Sequence, residues 1–208
     1  MKSNLDELIT THASKGEGDR FSIQLGEFIK ERPELKTIVE TGFGISSLFM
    51  VKGMSVDAKL YSIDTGPWAP FMIDHPNHTF INKRSIDAIL DLYFLVGPFD
   101  LVLTDGSHSC KAQTYEYNVL WEFLKPGCTM ANDDISWSNH GSFAKFVKER
   151  GLTPWQMGDL WCVTKPKEFG FCPAAKAKEV HEFWLEKAEA DQNRFYATGG
   201  EVDTLFVD

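Results

Sequence analysis

At 208 residues, 43% apolar and 25% charged, the chain is long enough to bury a substantial core and has the composition of a globular protein. A net charge of −9 with no basic stripe argues against broad binding to a nucleic-acid backbone. The stretch MKSNLDELITTHASKGEGD has no apolar leader core and no apolar run nears membrane-spanning length, so neither a signal peptide nor a membrane association is expected.

Residues 3–32 read as one or two short helices interrupted by SKGEGD and closed by Pro33. TIVETG (37–42) reads as a strand, and the helical SSLFMVKGM follows. KLYSID (59–64) is a second strand ending on an acid, and HTFINK (78–83) a weaker third. SIDAILDLYFLV (85–96) has helical spacing, and FDLVLTDG (99–106) carries the strongest strand signal. SCKAQTYEYNVLWEFL (109–124) reads as an amphipathic helix with KPG as its stop. CTMANDDI (128–135) is a strand ending in two acids, GSFAKFVKERG (141–151) a helix, and LTPWQMGDLWCVTKP (152–166) a β-hairpin turning at Gly158-Asp159. A helix over 174–195 and the tail GGEVDTLFVD complete the chain, and the apolar TLFV can dock on a second subunit or on its own. The lysines of KPK (165–167) and KAK (176–178) read as solvated surface. Cys110, Cys128, Cys162 and Cys172 form no CxxC pair and no metal-ligand spacing, which suits reduced thiols in a cytoplasmic setting.

Strands alternating with helices imply a mostly parallel sheet with helices on both faces and an antiparallel hairpin at its end. Ligands bind such sheets beyond the carboxyl ends of the strands, where Glu40, Asp64, Asp105, Asp133 and Asp134 all fall. VETGFGIS (39–46) is a strand, a turn with Gly42 and Gly44, and a helix start, suited to close approach of a ligand to the backbone. A dinucleotide fingerprint would need glycine at 47, where the chain has Ser47. Asp64, ending the next strand, can accept both hydroxyls of a ribose. Three carboxylates at two neighbouring strand ends repel unless one protonates or a cation joins them. Their hard oxygens suit Mg²⁺ or a similar divalent ion. His108, one turn past Asp105, has an imidazole suited to proton transfer near neutral pH. GPWAPFMIDHPNHT (66–79) and SWSNH (136–140) read as loops over an acceptor, with Trp68, Trp137 and His140 as contacts.

E-x-G-x-G-x-S at 40–46, an acid about twenty residues on, DLVLTDGSH and LKPGCTMANDDI together resemble class I S-adenosylmethionine-dependent methyltransferases. The narrower resemblance is to small-molecule O-methyltransferases of the macrocin and mycinamicin sugar type, and more distantly to catechol O-methyltransferase. It spans residues 36–165 and implies a Rossmann-like sheet within a single 1–208 domain, flanked by an N-terminal helical segment (1–35) and a C-terminal helix and tail (167–208). It further implies that Glu40, Gly42, Gly44 and Ser46 line the methionine end of the cofactor. Asp64 then holds its ribose, Arg84, Ser85 and Ile86 lie by its adenine, and Asp105 serves cofactor and cation alike. The family's Gly-Asp-Ser-like turn at the adenine is Lys83-Arg84-Ser85 here. Asp105, Asp133 and Asp134 match the family's magnesium ligands, the first of the pair often being Glu in the family, and His108 its general base. The acceptor implied is a small molecule with a hydroxyl: a sugar, a vicinal diol or a catechol-like phenol. A nicotinamide-dependent oxidoreductase, a metal-dependent hydrolase and a non-catalytic binding module on the same fold are the competing readings.

Overall fold

The structure, a computed structural model, describes residues 5–14, 20–66, 72–106, 109–133 and 142–197. In chain order the elements are α1 (Leu5–Ser14), α2 (Arg20–Lys30), β1 (Thr37–Thr41), α3 (Ile45–Gly53), β2 (Lys59–Asp64) and β3 (His78–Asn82). There follow α4 (Ser85–Val96), β4 (Phe99–Thr104), α5 (Cys110–Phe123), β5 (Leu124–Asn132) and α6 (Ser142–Glu149). The hairpin β6 (Trp155–Met157) and β7 (Leu160–Thr164) and the long α7 (Ala177–Ala197) complete the order.

The seven strands form one sheet ordered β3-β2-β1-β4-β5-β7-β6. The first five pair in parallel, while β7 runs antiparallel to both β5 and β6. This is the mostly parallel, hairpin-ended α/β sheet that the residue pattern implied. An all-parallel dinucleotide fold would run 3-2-1-4-5-6 with no antiparallel strand inserted. Successive side chains of a strand point to opposite faces, and here both faces are covered. Val39, Tyr61, Val102, Met130 and Val163 pack with α4 to α7. Ile38, Leu60, Leu101, Leu103 and Ala131 pack under α1 to α3. All six residues of β4 are buried, which is why its apolar run is unbroken.

Two expectations change at the junction of α5 and β5. α5 ends at Phe123, one residue short of 124, and the next strand starts at Leu124, which pairs with Phe99, rather than at Cys128. Between there and the Leu101–Thr129 pair the register slips, so Lys125 to Cys128 form a bulge. Gly127 takes φ +80 in it, and its N–H reaches Lys165 O at 2.7 Å. The bulge sends Lys125 to Asp100 Oδ1 at 2.6 Å, while Asp100 Oδ2 accepts from the amides of Lys36 and Thr37, fastening the start of β1 to β4.

Lys165, read from KPK as solvated, is 1% exposed. Its ammonium donates to Trp121 O at 2.6 Å, which also accepts the Leu124 N–H, and to Leu124 O at 2.9 Å, placing a cation at the carbonyl end of α5. Burial pulls its pKa down to about 8.

The amphipathic reading of 109–124 is also corrected, because α5 is buried nearly all round. One side meets the sheet; the other is covered by α7, which runs antiparallel to it. Tyr115 OH meets His181 Nδ1 at 2.6 Å, and nearer the strand ends Lys111 pairs with Glu189 and Lys145 with Asp191. Among the described residues, no helix is long and apolar enough to cross a membrane.

On the other face, α2 and α3 cross at Gly26 and Gly53. A Cβ on Gly53 would stand 2.2 Å from Gly26 O, a backbone atom that cannot swing aside. Gly53→Ala is therefore expected to lower unfolding free energy by about 1–3 kcal/mol, the usual penalty of overpacking, read from urea denaturation. An unchanged midpoint would mean that the crossing is looser than it stands here.

Candidate functional site

Across the carboxyl ends of the parallel strands lies a cleft of about 700 Å³. Its floor is Thr41 and Gly42 at the end of β1, Ile63 to Thr65 at the end of β2 and Gly106 after β4. Its walls are Lys83 to Asp87, opening α4, and Ser109, Lys111, Ala112 and Glu116 of α5 with Leu185 of α7. The strand order makes the cleft: α3 after β1 and α5 after β4 lie on opposite faces of the sheet, and the gap opens between these neighbouring strands where the winding reverses.

Asp64 lies on this floor. Its Oδ2 accepts from Phe43 N at 2.9 Å and its Oδ1 from Thr65 N and Gly66 N at 2.5 and 2.9 Å. The carboxylate thus ties the glycine turn after β1 to the end of β2. Gly42 takes φ +87, and a Cβ there would lie 2.0 Å from Asp105 O. Its lack of a side chain is therefore needed first by the backbone after β4, and the ligand-facing edge comes with it. Gly44, extended at φ −166, faces open space where a Cβ would be. Ser46 is buried in the first turn of α3 and does not line the cleft.

Glu40 also lies off the cleft wall, fully buried beneath the glycine turn. Ser47 Oγ contacts its Oε1 at 2.5 Å, and Ser62 Oγ contacts the same oxygen. Burial raises its pKa to about 8, with Asp64 adding to the rise against the two serines. Ser47, standing where a dinucleotide motif would have its third glycine, also accepts from Gly44 N at 3.2 Å.

Ser85 and Ile86 border the cleft at the start of α4 together with Arg84, whose guanidinium is held by Asp87 at 2.7 Å. On the far side, Asp105 and Asp133 follow the paired residues Thr104 and Asn132 of adjacent strands. Asp105 N donates to Thr41 O at 2.8 Å and Asp133 N to Thr104 O at 3.2 Å, so the two acids continue the sheet side by side. Neighbouring strands lie about 4.8 Å apart, within the span that one cation bridges. Asn132 locks these ends: its Oδ1 accepts from Thr104 Oγ1 and Tyr117 OH, both at 2.9 Å. Among the described residues no cluster of three metal-ligating side chains occurs. Asp134, His108, Trp68, Trp137 and His140 lie outside the described residues.

The residue pattern missed the α5–α7 wall. Glu116, 1% exposed, accepts from Thr41 Oγ1 at 2.9 Å and borders the cleft. Its signal was available in TYEYN, an acid between two core tyrosines. Leu185 had none, since its place depends on α7 lying across α5.

Residues 39–135 match a family described as "Methyltransferase domain". Over that span, just under half of the chain, the sequence is that of a methyltransferase domain. Solved structures share its fold at low identity. MycE, a methyltransferase from the mycinamycin biosynthetic pathway in complex with Mg, SAH and mycinamycin VI, superposes with TM-score 0.58 at 17% identity, covering 82% of this chain and 57% of its own. The chain thus spans little more than half of MycE. An O-methyltransferase from Bacillus cereus in complex with SAH gives 0.56 at 14%, covering 78% and 90%. The O-methyltransferase TomG from Streptomyces achromogenes, in complex with SAM, gives 0.54 at 16%, covering 79% and 91%. No curated protein matches the chain.

Proposed function

We propose that the chain is one 1–208 domain catalysing S-adenosylmethionine-dependent methylation of a hydroxyl on a small molecule, assisted by Mg²⁺ or another divalent cation. The carrying observation is the cleft itself: about 700 Å³ at the winding reversal, bounded by a strand-end acid, a glycine turn and a helix start. Asp64, at its floor, is the residue to accept the ribose hydroxyls. Arg84, Ser85 and Ile86 flank the adenine, while the backbone at Gly42 and Gly44 admits the methionine end above Glu40 and Ser46. The methyltransferase complexes with SAM or SAH, one also containing Mg, support this assignment.

The donor set fits a hard cation, since the carboxylate residues Asp105 and Asp133 follow paired positions of adjacent strands and Asp134 follows directly in sequence. When bound, the sulfonium cofactor supplies an already activated methyl group, and the cation gathers and acidifies the acceptor oxygens. The chain's own work is then to hold the acceptor and to take a proton. His108, three residues past Asp105, is the general base that receives it. Trp68, Trp137 and His140 are the acceptor contacts in this reading. A sugar, a vicinal diol or a catechol-like phenol meets the chemistry. Reduced cysteines, with no span among the described helices, fit a cytoplasmic setting.

Calorimetric titration of the purified protein with S-adenosylmethionine and with NADH, each with and without Mg²⁺, tests the reading. Saturable micromolar binding of the sulfonium compound is expected. No heat from folded protein would end the methyltransferase assignment, and NADH binding in its place would make the chain an oxidoreductase.

A further inference from the structure

Beneath the glycine turn, a row of polar side chains, buried except for the half-buried His78, is unaccounted for by cofactor contacts. Gly44 N donates to Ser47 Oγ at 3.2 Å, and Ser47 Oγ meets Glu40 Oε1 at 2.5 Å. The same oxygen meets Ser62 Oγ, which lies 2.9 Å from His78 Nε2, and His78 Nδ1 lies 3.4 Å from Ile73 O. The row thus starts in the turn that the cofactor approaches. It ends in the segment just before β3, at the exit of the long 66–79 connection.

Counting protons orders it. Each serine has one hydrogen, and a neutral imidazole one N–H. If Glu40 were ionised beside a neutral His78, both serines would donate to it, His78 would donate from Nε2, and its bare Nδ1 would face the Ile73 carbonyl, acceptor against acceptor. With Glu40 protonated on Oε1 every contact of the row pairs a donor with an acceptor, and only Glu40 Oε2 is left without a partner. Gly44 donates to Ser47, Ser47 to Glu40, Glu40 to Ser62, Ser62 to His78 Nε2, and Nδ1–H to Ile73 O. His78 grips the turn in a second way, since its ring stacks on Phe43, between the two glycines, at 5.5 Å and 18°.

We infer that His78 is a positioning residue for the cofactor site, holding the Gly42–Gly44 turn through a one-way chain of hydrogen bonds that passes through Ser62, a neutral Glu40 and Ser47. The inference rests on the cleft being the cofactor site. Its direction agrees with the local electrostatics. Burial, with Asp64 adding, raises Glu40 to about 8, and burial, with His75 adding, lowers His78 to about 4. Both are therefore neutral at pH 7. Asp64 and His75 are the titratable groups acting on the pair.

The signs give a pH profile. Glu40, raised in the folded state, contributes stability that is full below its unfolded value of 4.5 and lost as pH rises through about 8. His78, lowered, contributes stability that is present above 6.5 and lost as pH falls towards about 4. Of these two groups only Glu40 operates between pH 6.5 and 8, and it should lower the melting temperature of the wild type there. In Glu40→Gln, which cannot ionise, that part of the decline should vanish.

The test has two arms. In the first, S-adenosylmethionine is titrated into wild type, His78→Phe and His78→Gln. His78→Phe keeps the stack on Phe43 but has no nitrogen for Ser62 or Ile73, and should weaken binding about ten-fold, the worth of roughly one net hydrogen bond. His78→Gln, whose amide can both accept and donate, should recover most of it. Wild-type affinity in folded His78→Phe would overturn the inference, leaving His78 as packing. If that variant does not fold, Ser62→Ala breaks the chain at its middle and is judged the same way. The second arm compares melting temperatures of wild type and Glu40→Gln from pH 6.5 to 8. Parallel declines would show Glu40 ionised, and would overturn the chain's direction even if the cofactor binds. Absence of cofactor binding in the wild type would instead fail the functional assignment, and the second arm would still decide the chain.

Discussion

Asp64→Ala is expected to weaken S-adenosylmethionine binding by at least about 100-fold at pH 7, because two charge-assisted hydrogen bonds to a ribose are each worth about 1.5–3 kcal/mol. The carboxylate does more than await a ribose. Three backbone amides, from Phe43, Thr65 and Gly66, already point at it. Truncation therefore removes the ribose acceptor and loosens both turns that shape the floor of the cleft. Asp64→Asn separates these effects, since its carboxamide keeps one acceptor oxygen. It should lose about ten-fold, one hydrogen bond's worth. Calorimetry gives the affinities, with thermal melting as the check on folding. Asp64→Ala binding as tightly as the wild type would remove Asp64 from the cofactor site.

How far the residues alone reached follows from where the information lies. Strand ends are local: Asp64, Asp105 and Asp133 each follow an apolar run, and the sheet then sets the last two side by side. The hairpin was equally legible, because Gly158 adopts φ +64 in the two-residue turn that Gly-Asp announces. What failed was set by partners distant in sequence. Lys165 looked solvated because nothing near it reveals that Trp121 and Leu124 offer carbonyls. The helix 110–123 looked amphipathic because its outer cover, α7, begins more than fifty residues later. The same blindness hid Leu185 from the cleft. The structure adds that Glu40 is fully buried beneath the turn, held from two sides by serines. Ser47 shows the converse: a residue noted only for not being glycine proves to bridge that acid to the turn.

The acidic end of the site yields the other large effect. Carboxylates about 5 Å apart on adjacent strands repel by about 3 kcal/mol at an effective dielectric of 20, and a divalent ion turns that repulsion into attraction. Asp133→Asn should therefore act oppositely in two conditions. In chelator its melting temperature should exceed that of the wild type, because one repelling charge is gone. With millimolar Mg²⁺ the order should reverse, because the wild type gains binding energy that the variant forgoes. Turnover on an accepted hydroxyl substrate should fall about 1,000-fold, the several kcal/mol that a bound cation contributes to a developing oxyanion. Asp105 stands between Thr41 and Thr104, against the glycine turn, and its variants should lose cofactor affinity as well as metal dependence. Asp133, one strand further from the turn, should lose metal dependence with little change in cofactor affinity. If Asp133→Asn melts below the wild type in chelator and Mg²⁺ shifts neither protein, the paired acids serve the fold and the cation has no place there.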